Sequence, residues 1–146
     1  MKKKILLGLS GSVACSKAEL FVIQNSEVFE FKFLSTHNGL SYLSEEFIKS
    51  NNIYSDWSEL SGSPHIELAR WADEMIIYPA SANLISKISS GIADDLLTST
   101  ILMFPKPIYI CPAMHEEMYM NSEIQSNVLN LSNNHYIVGP RYGNLD

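Results

Sequence analysis

Two stretches of this 146-residue chain gather small, polar and imidazole-bearing residues where a sheet would end. Tyr78-Pro79-Ala80-Ser81-Ala82-Asn83 follows the apolar run Met75-Ile76-Ile77-Tyr78. Cys111-Pro112-Ala113-Met114-His115-Glu116-Glu117-Met118-Tyr119 follows Ile108-Tyr109-Ile110. In each, a proline interrupts the run and residues suited to a helix start come next. Two strand ends of this design predict a site at the carboxyl edge of a parallel sheet, where open α/β folds bind ligands. Met114, Met118 and Tyr119 suit either a core or the wall of a flat aromatic ligand, since thioethers pack readily on rings. Asn83 fits a ligand contact or a plain helix start.

Three further segments carry possible chemistry. Gly8-Leu9-Ser10-Gly11-Ser12 joins a strand to a helix, and its small residues let an anion approach backbone N–H groups at a helix N-terminus. A tight β-to-α turn explains the same residues. Ser35-Thr36-His37-Asn38 follows a second strand, and its hydroxyls suit either the same sheet edge or a helix cap. His65 stands one residue after Pro64 in the first turn of a helix. The positive end of a helix favours the neutral imidazole, a form suited to acid–base work; a surface histidine fits there equally.

The elements that must position these residues alternate. Strands are predicted over Lys4 to Leu9, Glu30 to Leu34, Glu74 to Tyr78, Ile108 to Cys111 and Tyr136 to Val138. Helices are predicted over Ser12 to Gln24, with a capping box from Ser16 to Glu19, and over Leu40 to Ser50, Pro64 to Trp71, Ala82 to Ser90, Asp94 to Met103 and Glu117 to Leu131. Asn51 to Gly62 reads as a polar, turn-rich connection anchored by Trp57, and Gly139-Pro140-Arg141-Tyr142-Gly143 as a terminal turn. Alternation of this kind implies one α/β domain over 1–146, a doubly wound parallel sheet of flavodoxin or Rossmann type.

Composition narrows the function classes. A hydrophobic fraction of 46% with 18% charged residues fits a globular chain. Net charge −6 with ten basic residues argues against nucleic acid as a partner. The run Ile5-Leu6-Leu7-Gly8-Leu9 after three lysines is too short for a signal peptide and reads as a buried strand. No apolar stretch approaches a membrane span. Cys15 and Cys111 lack metal-ligand spacing, so no metal is expected. They read as reduced thiols of a cytoplasmic protein.

Together the segments resemble the homo-oligomeric flavin-containing cysteine decarboxylases, which include phosphopantothenoylcysteine decarboxylase and the lantibiotic peptidyl-cysteine decarboxylases. Four motifs carry the resemblance, in order. They are Ser10-Gly11-Ser12-Val13-Ala14, then Ser63-Pro64-His65-Ile66-Glu67-Leu68-Ala69-Arg70-Trp71-Ala72-Asp73, then Pro79-Ala80-Ser81-Ala82-Asn83 as the start of PASANT, and Pro112-Ala113-Met114-His115-Glu116-Glu117-Met118-Tyr119 against PxMNxxMW. The resemblance implies FMN contacts at Gly11, Ser12 and Val13, at Ser35, Thr36 and His37, at Ser81, Ala82, Asn83 and Leu84, and at Ala113 and Met114. It implies His65 as the acid–base, with Asn83 and His115 as further catalytic residues that orient substrate, and His115 and Met118 as its contacts.

The implied reaction oxidises a cysteinyl thiol to a thioaldehyde on FMN, after which the adjacent carboxylate leaves as carbon dioxide. For 4'-phosphopantothenoylcysteine this is the coenzyme A pathway's step to 4'-phosphopantetheine. The implied assembly is a homotrimer or dodecamer with FMN at a subunit interface, beside a separate phosphopantothenoylcysteine synthetase. Departures are Leu84 for the PASANT threonine, His115 for asparagine and Tyr119 for tryptophan. The Pro-Ala-Met-His form is similar to the archaeal type. The family's flap cysteine has no counterpart after Cys111, so another group completes the reduction or the product stays an enethiol; Cys111 is a candidate, though a buried thiol fits it better. Competing readings are a flavin prenyltransferase, a non-catalytic FMN-binding regulator and a flavodoxin-like domain without flavin.

Overall fold

The computed structural model describes residues 1–140. Six strands form one parallel sheet: β1 Lys3–Leu9, β2 Phe29–Ser35, β3 Ile53–Tyr54, β4 Glu74–Ala80, β5 Tyr109–Pro112 and β6 Tyr136–Ile137. Their spatial order is β3-β2-β1-β4-β5-β6. The chain therefore winds outward from β1 to β3, returns to the centre, and winds the other way from β4 to β6. The reversal falls between β1 and β4. This is the expected doubly wound α/β architecture, and its switch point leaves a crevice beyond the carboxyl ends of the two central strands.

Helices cover the sheet because its strands are apolar on both sides, as parallel strands must be. On one face α1 (Cys15–Asn25) and α2 (Glu45–Ser50) seal Leu7, Leu9 and Phe33 with Cys15, Ala18, Val22 and Phe47. On the other, α3 (Pro64–Trp71), α4 (Ala82–Ser90), α5 (Leu96–Met103) and α7 (Ser122–Ser132) bury Leu6, Leu34, Met75, Ile77 and Ile110. Gly8 permits the closest approach. A Cβ there would lie 2.8 Å from both Ile77 Cδ1 and Leu97 Cδ1, so α5 packs directly on β1.

Several boundaries differ from those expected, each for a local reason. The expected helix over Leu40 to Ser50 is a 3-10 turn at Asn38–Tyr42 followed by α2, because the Ser44 hydroxyl accepts from Phe47 N and starts a new helix. The helix expected over Glu117 to Leu131 splits into α6 (Glu116–Tyr119) and α7, because Asn121 caps Glu123 N. The Ser16–Glu19 capping box does not form. Ser16 Oγ donates to Val13 O, and the Glu19 carboxylate accepts from Ser44 N and Oγ at 2.8 and 2.7 Å, which pins α2 to α1. The connection over Asn51 to Gly62 holds the short strand β3, and Trp57 stays 40% exposed with its edge against His65. β4 continues through Pro79 to Ala80 rather than stopping at Tyr78. Of the expected terminal turn, Arg141 to Gly143 lie outside the described residues.

A belt of hydrogen bonds ties the four central strand ends together. Thr36 N donates to Leu9 O at 2.9 Å, joining β2 to β1, and Ala113 N donates to Ala80 O at 3.0 Å, joining β5 to β4. Between them the buried Ser10 side chain bridges the switch point. Its Oγ donates to Pro79 O at 2.6 Å and accepts from Ser81 N at 2.8 Å.

Ser10→Ala leaves the Ser81 N–H without its acceptor and Pro79 O with only the Ser10 N–H at 3.2 Å, so it costs about 1–3 kcal/mol of stability. Urea unfolding checks this, and an unchanged midpoint would contradict it. At the far edge, His135 Nδ1 accepts from Ile108 N at 3.0 Å, and burial holds the imidazole below its ordinary pKa of 6.5. The unfolded chain therefore takes up the proton first, so this stability is present above about pH 6.5 and is lost as pH falls through the folded-state value. His135→Asn, which keeps an acceptor but does not titrate, flattens the fall in urea midpoint between about pH 7 and about pH 5.5.

Candidate functional site

A cleft of about 590 Å³ lies at the switch point, within the range of ordinary small-molecule sites. The loop after β1 supplies Gly11, Ser12 and Val13; the loop after β2 supplies Thr36, His37 and Asn38. The start of α4 adds Ser81, Ala82, Asn83 and Leu84, and the segment after β5 adds Ala113, Met114, His115 and Met118. All four segments singled out at predicted strand ends thus reach one cleft.

The β1 side is built to receive an anion. Because α1 begins only at Cys15, the residues before it stay in a loop, and Ala14 N is taken by Ser12 Oγ at 3.1 Å. The N–H groups of Gly11, Ser12 and Val13 donate to no group among the described residues. Three successive free N–H groups before a helix make a cradle for phosphate. Asn38 packs directly on this loop: a Cβ on Gly11 would lie 2.2 Å from Asn38 Nδ2, so a larger residue there would displace that side chain.

The other walls differ in character. Ser81 caps α4 by accepting from Leu84 N at 3.2 Å. Asn83 is exposed, while Leu84 is 1% exposed and belongs to the core behind the cleft. The leucine that departs from PASANT is thus a core residue here. His115 Nδ1 accepts from Glu117 N at 3.2 Å and caps α6. Its neutral ring then carries hydrogen on Nε2, a donor suited to a carboxylate. Met114 packs against the core, and Met118 is half exposed. Tyr42, Lys87 and Asp95 also line the cleft. None of the three was marked by a motif, because helix phase and loop closure bring them there.

Two expected residues fall elsewhere. Ser35 is buried at the end of β2, and its hydroxyl donates to Thr36 O at 2.7 Å rather than lining the cleft. His65, at the start of α3, is not among the lining residues. Its ring centroid lies 5.0 Å from that of Trp57, and its buried Nδ1 has no hydrogen-bond partner among the described residues. The Trp-Ala-Asp end of the same motif is structural. Asp73 exchanges hydrogen bonds with Lys4 at 2.8 Å in each direction, and Lys4 and Lys32 lie over the Trp71 ring.

Cys111 is also off the cleft. It lines a second cavity with Phe21, Tyr78, Tyr109 and Val138, where burial pushes its thiol up to about 11. A thiol held protonated and away from the cleft is poorly placed to complete a reduction. Among the described residues no group of acidic, histidine and cysteine side chains forms a metal site, and no helix is long and apolar enough to cross a membrane.

FMN is the cofactor this cleft was expected to hold, and the residues fit it. The free N–H groups of Gly11 to Val13 suit its phosphate, and Tyr42, Met114 and Met118 offer apolar surface for a flat ring.

Comparison with known proteins places the chain. A putative phosphopantothenoylcysteine decarboxylase of Dictyostelium discoideum is 40% identical over 134 residues, which are 82% of this chain and 68% of the relative. The coenzyme A biosynthesis bifunctional protein CoaBC of Vibrio cholerae is 35% identical over 97% of this chain, which spans only 37% of that protein. Among solved structures, the FMN-binding protein AtHal3 matches with TM-score 0.90 and 32% identity over 99% of this chain and 84% of that one. A PPC decarboxylase mutant complexed with pantothenoylaminoethenethiol matches with TM-score 0.88 and 32% identity, over 97% and 84%. The flavoprotein family model matches residues 1–145, and the chain belongs to that family.

Proposed function

We propose that the chain is an FMN-dependent cysteine decarboxylase, a carbon–carbon lyase that converts 4'-phosphopantothenoylcysteine to 4'-phosphopantetheine in coenzyme A biosynthesis. The observation that carries this reading is the convergence in one cleft of the free N–H groups at Gly11 to Val13 with Asn83 and His115. Relatives named for this activity or this pathway support it.

When bound, FMN would supply the two-electron acceptor that takes a cysteinyl thiol to a thioaldehyde, making the adjacent carboxylate a leaving group, and would return the two electrons to the resulting enethiol to give the saturated thiol. The protein holds and orients. Ser81, Ala82 and Ala113 would hold the cofactor from the α4 and β5 sides, with Thr36 and His37 on the β2 side. The Nε2 hydrogen of His115 and the amide of Asn83 hold the substrate carboxylate, and Met118 closes over its chain.

His65 is assigned the proton transfer, although it lies off this chain's own cleft. We assign it to the cleft of a neighbouring copy in a homotrimer or a dodecamer of trimers. The unpartnered Nδ1 and an apolar outer surface at Leu20, Ile23, Tyr136 and Val138 suit such an assembly. A phosphopantothenoylcysteine synthetase activity would supply the substrate, in keeping with the bifunctional name of the Vibrio relative. Two free thiols, Cys15 and Cys111, suit the cytoplasm.

His65→Asn is expected to keep its yellow flavin colour and release no carbon dioxide. Asn83→Ala is expected to be inactive too. Mixed oligomers of the two variants regain activity, because some interfaces pair an intact His65 with an intact Asn83. Full activity of His65→Asn alone removes it from the mechanism, and absence of rescue removes the shared site. Turnover with dimethylallyl phosphate in place of the cysteinyl compound would instead indicate a flavin prenyltransferase. Bound FMN without turnover would indicate a regulatory flavoprotein, and purified protein without flavin absorbance a flavodoxin-like domain that holds none.

A further inference from the structure

Lys87 is the one lysine or arginine that lines the cleft among the described residues. It follows Asn83 by four positions on α4, so one helical turn places both side chains on the same face. Its Nζ lies 2.9 Å from Asp94 Oδ2, and the hydrogen bond from Lys87 holds the Asp94 carboxyl below the usual carboxylate range. Asp94 is 51% exposed and does not line the cleft. It steadies the ammonium from outside.

The acid that does line this wall is already engaged. Asp95 Oδ1 accepts from Thr98 N at 2.7 Å and from Thr98 Oγ1 at 2.6 Å, which caps α5. These bonds hold Asp95 in the α5 cap but leave its negative charge on this wall, where Lys87 is the one cation among the described residues. An ion pair as open to solvent as Lys87–Asp94 is weak, because water screens it. A dianion entering the cleft competes with Asp94 on favourable terms. The β1 side already has its own anion cradle in the free N–H groups of Gly11 to Val13. The cleft thus offers two separate positive features, one per side, and matches two anions rather than one.

We infer that Lys87 recognises a phosphomonoester on the substrate, so that the cleft selects a phosphorylated small molecule over a peptide ending in cysteine. The inference rests on the decarboxylase reading for its substrate, but its test does not depend on turnover. The flavin-loaded protein is titrated calorimetrically with 4'-phosphopantetheine and with pantetheine, and the flavin-stripped protein with FMN and with riboflavin. Wild type binds the phosphorylated pantetheine at least about tenfold more tightly, the size of one charge-assisted hydrogen bond. Lys87→Met abolishes that preference and leaves the FMN-to-riboflavin ratio unchanged, while Lys87→Arg retains the preference.

No preference in wild type, or equal weakening of both pantetheines in Lys87→Met, overturns the inference. A lost preference for FMN over riboflavin also overturns it, by assigning Lys87 to the cofactor. Should Lys87→Met fail to fold, Asp94→Asn decides: freeing the ammonium increases the preference, and an unchanged or smaller preference contradicts the assignment. A wild type that prefers the phosphorylated ligand yet releases no carbon dioxide would refute the decarboxylase reading while leaving Lys87's role standing.

Discussion

The Ser10 hydroxyl spans the point where the sheet reverses direction. At a switch point the two central strands diverge into loops that turn to opposite faces, and nothing in strand pairing itself holds those loops together. Here Ser10 does so: its N–H and its hydroxyl both donate to Pro79 O, and the buried hydroxyl oxygen accepts from Ser81 N. With the Leu9–Thr36 and Ala80–Ala113 bonds on either side, four strand ends keep a common frame. The loop of free N–H groups after β1, the start of α4 and the His115 segment all hang from this frame. Their relative placement depends on it more than on any contact within the cleft.

The frame also explains how the chain can leave the commoner motif at several positions. Leu84 replaces a threonine but turns into the core, so the loss of a hydroxyl is a loss only if that hydroxyl faces the ligand. His115 replaces an asparagine, caps α6 through Nδ1, and still presents a donor at Nε2. His65 illustrates the opposite case. Its type and position in the first turn of α3 fit an acid–base, yet the fold turns it toward Trp57 rather than into the cleft of its own chain. The proposed mechanism therefore assigns it to the cleft of a neighbouring copy.

Much of the architecture was legible in the sequence. Apolar runs ending at Leu9, Leu34, Tyr78 and Cys111 marked four strands, and the segments after them proved to share one cleft. The failures came where a polar side chain decides a boundary that hydrophobic spacing cannot. Ser44 and Asn121 cut two predicted helices because each caps a new one. Glu19 abandoned its capping role for Ser44, a contact between residues distant in sequence. β3 escaped notice because two residues carry little periodicity. Ser35 looked like its neighbours Thr36 and His37, but β2 runs one residue past Leu34, which buries the serine. Lys87, Asp95 and Tyr42 had no signal at all, since only tertiary packing sets them at the cleft.

The chemistry then follows from a division of labour. The cofactor supplies electron transfer, and the protein supplies a frame, an anion cradle, donors for a carboxylate and a shape. The most direct measurement is mass spectrometry of the product formed when the purified yellow protein meets 4'-phosphopantothenoylcysteine. The account predicts a product lacking one carbon dioxide, recovered as 4'-phosphopantetheine or as its enethiol two hydrogens lighter. Unchanged substrate, with flavin bound and the protein folded, would contradict it.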